Sequence, residues 1–195
     1  MDGAAPHSRD AHPVGHTRLR ETLREATREL HQTTEMLWTK SDEFQTKDAY
    51  LNFLATVLKV HIGSGLPAAI ARGDRTEIAE ERTRIDALCK DLDCSHVELN
   101  PPRAMDQDRA WGVGYVLNGS AIGATVMLRG GYLGEDWPQA YLHVGQAYVQ
   151  SGKLKRFFDA LEDGPQDATA VTAGAMDTFK LFAVHAENRA ALSVS

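Results

Sequence analysis

The chain has no run of Lys or Arg, no stretch of β-branched residues alternating with polar ones, and no internal repeat. With a net charge of −6, the first absence argues against a nucleic-acid partner, which needs a basic face. The second argues against a sheet. No apolar run of about 18 residues stands out as a membrane span, so no membrane is expected among its partners. The opening "MDGAAPHSRDAHPVGH" lacks the apolar core of a signal peptide. Cysteine is scarce: Cys89 and Cys94, in "CKDLDC". That spacing, with no second Cys/His pair nearby, is a poor zinc pattern. Reduced thiols in a cytoplasmic setting are the expectation. "GVGYVLNG" is no phosphate-binding loop after a strand, so the chain carries no flavin or nicotinamide fingerprint of its own. No Glu-x-x-His pair repeats on two helices, which argues against a di-iron bundle.

What remains is ordinary globular material: 195 residues, 43% hydrophobic and 25% charged, enough for one domain with a core. Residues 1–16 read as a disordered tail, with His7, His12 and His16 solvated in it. Residues 17–192 read as one helical domain. Leu19, Leu23, Leu30 and Leu37 recur at helical spacing, with Thr17 as the expected N-cap and an end near Lys40. A second helix through Tyr50, Phe53, Leu54, Val57, Leu58 and His61 is expected to stop at "IGSGLP". "TEIAEERTRIDALCKDL" reads as an exposed helix with charge pairs such as Glu80–Arg84. Arg109 to Leu128 reads as a long apolar helix, Gln139 to Gln150 as another that "KLKRFFDALEDG" continues or restarts, and the stretch from "QDATAV" as the last. The fold class is all-α.

Two stretches carry candidate chemistry. On the first helix, Arg24, Thr27, Arg28, His31, Glu35 and Trp38 share a face. A solvated face with a stray histidine is one reading. The other is a metal site: imidazole is a good proximal ligand for haem iron, Glu35 one turn on would orient its second ring nitrogen, and Arg24 and Arg28 suit the propionates. On the long helix, "LNGSAIGA" sets Gly119 and Gly123 one turn apart. Two glycines inside a helix cost about 1–2 kcal/mol relative to alanine, so something must require them. Close packing of two helices is one reason. A bare strip on which a flat ligand lies is the other, with Asn118 and Ser120 placed to hydrogen-bond a water or bound oxygen. His61, His143 and His185 read as core or rim residues, Trp111 and Trp137 as anchors. Asp106, Asp108 and Arg109 read as helix-start chemistry.

Taken together, "LREATRELHQTTE" (23–35) and "YVLNGSAIGATVML" (115–128) resemble the proximal and distal helices of the haem oxygenase family. "WPQAYLHVGQAY", "KLKRFFDALE" and "TFKLF" resemble its C-terminal third, so the likeness spans about residues 18–185. The resemblance implies an all-helical bundle holding haem b, as substrate and cofactor, between a proximal helix and a kinked distal one. It implies His31 as the iron ligand, Glu35 as its orienting partner, and Arg24, Arg28 and Lys155 as propionate contacts. Gly119, Ser120, Gly123 and Asn118 would form the distal face. It implies cleavage of haem by O2 to biliverdin, carbon monoxide and ferrous iron, with electrons from an external reductase or ferredoxin. A biliverdin reductase or a bilin-binding photoreceptor would lie downstream. Two positions depart from the family: animal-type members have aspartate where Ser120 stands, and many bacterial members have glutamate where Asn118 stands. Those departures motivate an alternative, a haem-binding or sensory protein of the same fold with weak turnover. A helical bundle that binds another small molecule is a third reading.

Overall fold

Thr27 decides how the chain begins. In the computed structural model, which describes residues 18–39, 46–94, 104–131 and 133–192, with side chains to 34 in the first segment and to 184 in the last, the first expected helix is two: α1 (Leu19–Ala26) and α2 (Arg28–Thr39). The Thr27 hydroxyl donates to the Leu23 carbonyl at 2.8 Å, and its backbone leaves the helical region at φ −102, ψ 1. Such side-chain bonding to the preceding turn bends helices. Thr17, the expected cap, and the 1–16 tail lie outside the described residues. Arg18 takes the cap position without a side-chain bond. The free amides at the head of α1 are met instead by Glu162, which accepts from Leu19 N at 2.9 Å and Arg20 N at 3.3 Å.

The second helix starts as expected. Thr46 caps α3 (Lys47–Val60), its side chain accepting from Ala49 N. It does not stop at "IGSGLP". The chain passes through a π-turn, His61–Gly65, into α4 (Leu66–Arg72) and ends at Gly73, in the left-handed region at φ 71. Gly65 explains the exception: a Cβ there would lie 2.8 Å from Leu117 Cδ1 and against the Glu81 carboxylate. Close approach, not helix termination, selects this glycine. The continuous helix 47–72 is long and apolar enough to cross a membrane by length and composition, contrary to expectation. Yet 67% of its apolar window is buried within the protein, and it serves as a wall of the core.

α5 (Arg75–Asp91) begins at Asp74, whose carboxylate accepts from Thr76 N and Glu77 N. It was expected to be exposed and is not: Glu81, Arg84, Ile85, Ala87, Leu88 and Asp91 are buried. The expected Glu80–Arg84 pair does not form. Arg84 pairs with Glu81 at 3.2 Å, and Glu80 pairs with Lys153. α6 (Gln107–Gly130) is capped by Asp106 and is followed by α7 (Ala140–Gln150), α8 (Lys153–Asp163) and α9 (Ala168–Leu192). Asp108 accepts from Gln166 N and Asp167 N just before α9, and Arg109 pairs with Asp177. Both act in tying helices together. α6 is the axle of the bundle, packing on α4, α7, α8 and α9. The described residues contain no strand. The core runs from Leu23, Tyr50 and Leu54 through Leu88 and Leu117 to Phe157, Leu161 and Val171.

Candidate functional site

α6 has two halves. In its first half a Cβ on Gly114 would meet Phe157 at 2.9 Å, and one on Gly112 would strike the α9 backbone at Val171, with Ala175 N at 2.6 Å. In its second half, a Cβ on Gly119 or Gly123 meets nothing within 4 Å. Among the described residues these two glycines therefore form no packing seam. With Ile122 (47% exposed) and Val126 (57% exposed) they form a stripe at i, i+3, i+4 and i+7, one face of a helix, apolar and open. The opposite side of the same turns is closed: Ala124 and Ala121 lie against α7, where a Cβ on Gly145 would come within 2.9 Å of Ala124 Cβ.

His31 stands on α2, exposed, its ring edge-on to Phe179 of α9 with centroids 5.7 Å apart. Thr27, at the joint between α1 and α2, meets Tyr115 of α6. Burial pushes the Tyr115 phenol above its ordinary pKa, opposed by a hydrogen bond with the Thr27 hydroxyl and by the charges of Arg20 and Arg24. His31 is four residues past Thr27 and Gly119 four past Tyr115, so about 6 Å of helix separates each from this junction. Around it sits the positive charge. The charge of Arg24 acts on the Tyr115 phenol, and Arg20 lies over the Phe158 ring at 4.2 Å. Arg28 is drawn away: it pairs with Glu25 and lines a groove of about 500 Å³ with Leu30, Thr33, Met176 and Lys180. Lys155 is 79% exposed and pairs with Asp159 at 2.6 Å. The Glu35 and Trp38 side chains lie outside those described, as does that of His185.

Behind the stripe lies a polar chain that the sequence reading did not assemble. The Ser120 hydroxyl donates to the Leu117 carbonyl at 2.7 Å, which leaves its lone pairs for the Tyr141 hydroxyl beside it. Tyr141 Oη is 3.1 Å from His61 Nε2, and His61 Nδ1 is 2.5 Å from Glu81 Oε1. His61 is fully buried. Burial alone would raise the Glu81 pKa, but His61 and then Arg84 outweigh it and hold the carboxyl below its ordinary value. An ionised carboxylate only accepts, so Nδ1 donates to Glu81, and the Tyr141 hydroxyl lies beside Nε2. Arg84 closes the chain, its guanidinium 4.3 Å over the Tyr148 ring. Asn118 is buried at 3% exposure and lines a cavity of about 10 Å³ with Gly65, Arg72, Glu81, Arg84 and Tyr148. That is room for about one water. Arg84 Nη2 and Arg72 Nε are buried without a hydrogen-bond partner there, donors such a water would satisfy. Of the two polar residues expected beside the glycines, Ser120 thus reaches the histidine chain, while Asn118 joins the cavity. His143 is exposed, and Trp137 stacks on Tyr50.

Chemically, the open stripe and His31 suit a flat apolar ligand, and the arginines about Tyr115 suit an anionic edge on it. Among the described residues no three His, Cys, Asp or Glu side chains gather to hold a metal ion.

The architecture is that of the all-helical haem oxygenase fold. It is similar to the crystal structures of the NO- and CO-bound haem oxygenase from Neisseria meningitidis, with a TM-score of 0.65 and 17% identity over 88% of this chain and 91% of that one. No family model and no curated protein matches the sequence.

Proposed function

We propose that the protein binds haem between α2 and the open half of α6 and cleaves it oxidatively, as a haem oxygenase. The observation that carries this reading is the stripe Gly119–Ile122–Gly123–Val126, apolar, open, and bare where a Cβ would meet nothing within 4 Å. The shared fold supports it. In this reading His31 holds the iron and Glu35 orients the imidazole. Arg24, with Arg20 and Tyr115 beside it, receives the propionates, and Arg28 and Lys155 join by leaving their carboxylate partners. Bound haem would supply the iron that activates oxygen and is itself the molecule consumed, giving biliverdin, carbon monoxide and ferrous iron with electrons from an external reductase or ferredoxin. Gly119 and Gly123 keep the α6 backbone low over the ligand and leave space for a diatomic molecule. The Tyr141 hydroxyl holds the proton nearest Ser120, and Glu81 holds the His61 ring beside that hydroxyl. The protein acts in the cytoplasm, and its bilin product passes to a biliverdin reductase or a bilin-binding photoreceptor.

One observation favours a second reading, a haem-binding or sensory protein with weak turnover. The Ser120 hydrogen is already committed to Leu117 O, and Asn118 is turned into the cavity. Neither supplies a carboxylate to order water over the ligand.

Hemin titration followed by ascorbate in air separates the readings. A Soret band saturating at one equivalent, shifted or weakened in His31→Ala, and then replaced by a red bilin band is the expected result. A saturable Soret band with no bilin supports the sensory reading. Hemin uptake no better than by an unrelated protein would sink both.

A further inference from the structure

α5 ends in a Schellman motif. Asp93 N donates to Lys90 O at 3.4 Å, and Cys94 N donates to Cys89 O at 3.0 Å. Asp93 between them holds the left-handed φ of 51. This motif sets its first and sixth residues against each other, where an apolar contact usually closes it. Here both are cysteines. The hydrogen bond keeps their Cα atoms within roughly 7 Å even with the intervening bonds fully stretched. A bent path brings them into the window of about 4.4–6.8 Å that a disulfide spans. Both thiols are half-buried, so neither is sealed from an oxidant.

We propose that Cys89 and Cys94 form a reversible intrachain disulfide that fixes the joint between α5 and α7. The oxidant is a hydroperoxide. One thiolate attacks a peroxide oxygen, the O–O bond breaks, and the departing hydroxide takes a proton and leaves as water. The resulting sulfenic sulfur is attacked by the second cysteine. The S–S bond forms, hydroxide departs, and it leaves as a second water with the proton of that thiol. Two thiols and one hydrogen peroxide give one disulfide and two waters, the two electrons coming from the sulfurs. A dithiol reductant reverses the step.

The joint lies inside the ring so formed. Asp91 is buried, and its carboxylate accepts from Ala140 N at 2.9 Å and Tyr141 N at 2.8 Å, capping the first turn of α7. A bond across residues 89 and 94 prevents the last turn of α5 from fraying and holds Asp91 on that cap. Tyr141 is also the residue whose hydroxyl faces Ser120 and His61. The proposal stands on the motif alone and holds whether or not haem is the ligand.

The test uses the full chain treated with hydrogen peroxide. Both thiols should lose maleimide reactivity in step, and the peptide containing them should become lighter by two hydrogens. No cross-link should form between chains, and dithiothreitol should restore both thiols. Amide exchange at Ala140 and Tyr141 should slow several-fold in the oxidised chain. In Cys94→Ser, peroxide should leave a Cys89 sulfenic acid that dimedone traps, with exchange at those two amides unchanged. Independent loss of the two thiols, cross-linking between chains, or equal exchange at Ala140 and Tyr141 in both redox states would overturn the proposal.

Discussion

The two halves of α6 use the same residue for opposite ends. Gly112 and Gly114 are glycine because α9 backbone and the Phe157 ring occupy the space a side chain would take. Gly119 and Gly123 are glycine although no described residue occupies that space. Packing explains the first pair completely and the second not at all. A glycine in a helix costs about 0.5–1 kcal/mol against alanine, and in the first half tighter interhelical contact offsets it. In the second half no contact with a described residue does. An open, apolar, glycine-bearing stripe is a surface that a ligand completes, whereas a closed one is already complete.

The packed side breaks hardest at Glu81, whose carboxylate fills the space that Gly65 leaves behind α6. Glu81→Ala strands Arg84, a buried cation whose only ion pair among the described residues is Glu81. It also removes the acceptor of His61 Nδ1. Breaking a buried pair from one side costs about 3–5 kcal/mol, a large share of what such a domain has. Urea unfolding should show that loss, and an unchanged midpoint would mean that water already compensates Arg84. The folded pKa of Glu81 lies below its ordinary value of 4.5. Its stabilisation is therefore present above about pH 4.5 and is lost as pH falls through the depressed value. Acid unfolding of Glu81→Gln should accordingly have a shallower limb than that of the wild-type chain. Next in size is Gly112→Ala. Its Cβ meets main chain that cannot swing aside, so overpacking should cost about 1–3 kcal/mol in the same urea experiment.

Helical period and the Gly119–Gly123 spacing were legible in the sequence, because each depends on one helix alone; the His31 face was read on one helix but crosses the Thr27 break, with Arg24 on α1 and His31 on α2. What was hidden depends on two. Glu81 and Arg84 are written in the letters of a solvated charged face, and only the arrival of Gly65 and Tyr148 beside them makes the pair internal. Gly63 and Gly65 look like a stop signal, yet the helix survives as a π-turn because Leu117 and Glu81 need the room. Gly112 and Gly119 are indistinguishable until α9 is placed against one and open space against the other. The Ser120–Tyr141–His61–Glu81 chain draws on four separate helical segments, so no spacing rule could find it. Cys89 and Cys94 are the reverse case: their separation is that of a Schellman motif, with Asp93 at its left-handed position, and capping rules rather than zinc spacing would have read it.

The smallest expected change in stability gives the sharpest contrast. In Gly119→Ala the new methyl meets no atom of the described residues within 4 Å, and a helix interior gains about 0.5–1 kcal/mol from the exchange. The apo chain should therefore melt higher, by roughly 1–4 °C for a domain of this size, while Gly112→Ala melts lower. Hemin affinity should move the other way. The same methyl rises from the strip on which the macrocycle would lie, so binding should weaken tenfold or more, and Gly119→Ala with Gly123→Ala should weaken it further. A stabilised chain with unchanged hemin affinity would show that the open half of α6 is plain solvent surface. A destabilised one would show that a partner element covers it. A gain in stability joined to a loss of ligand is the signature of a residue kept for what the protein binds, since packing within the chain cannot produce both effects from one methyl group.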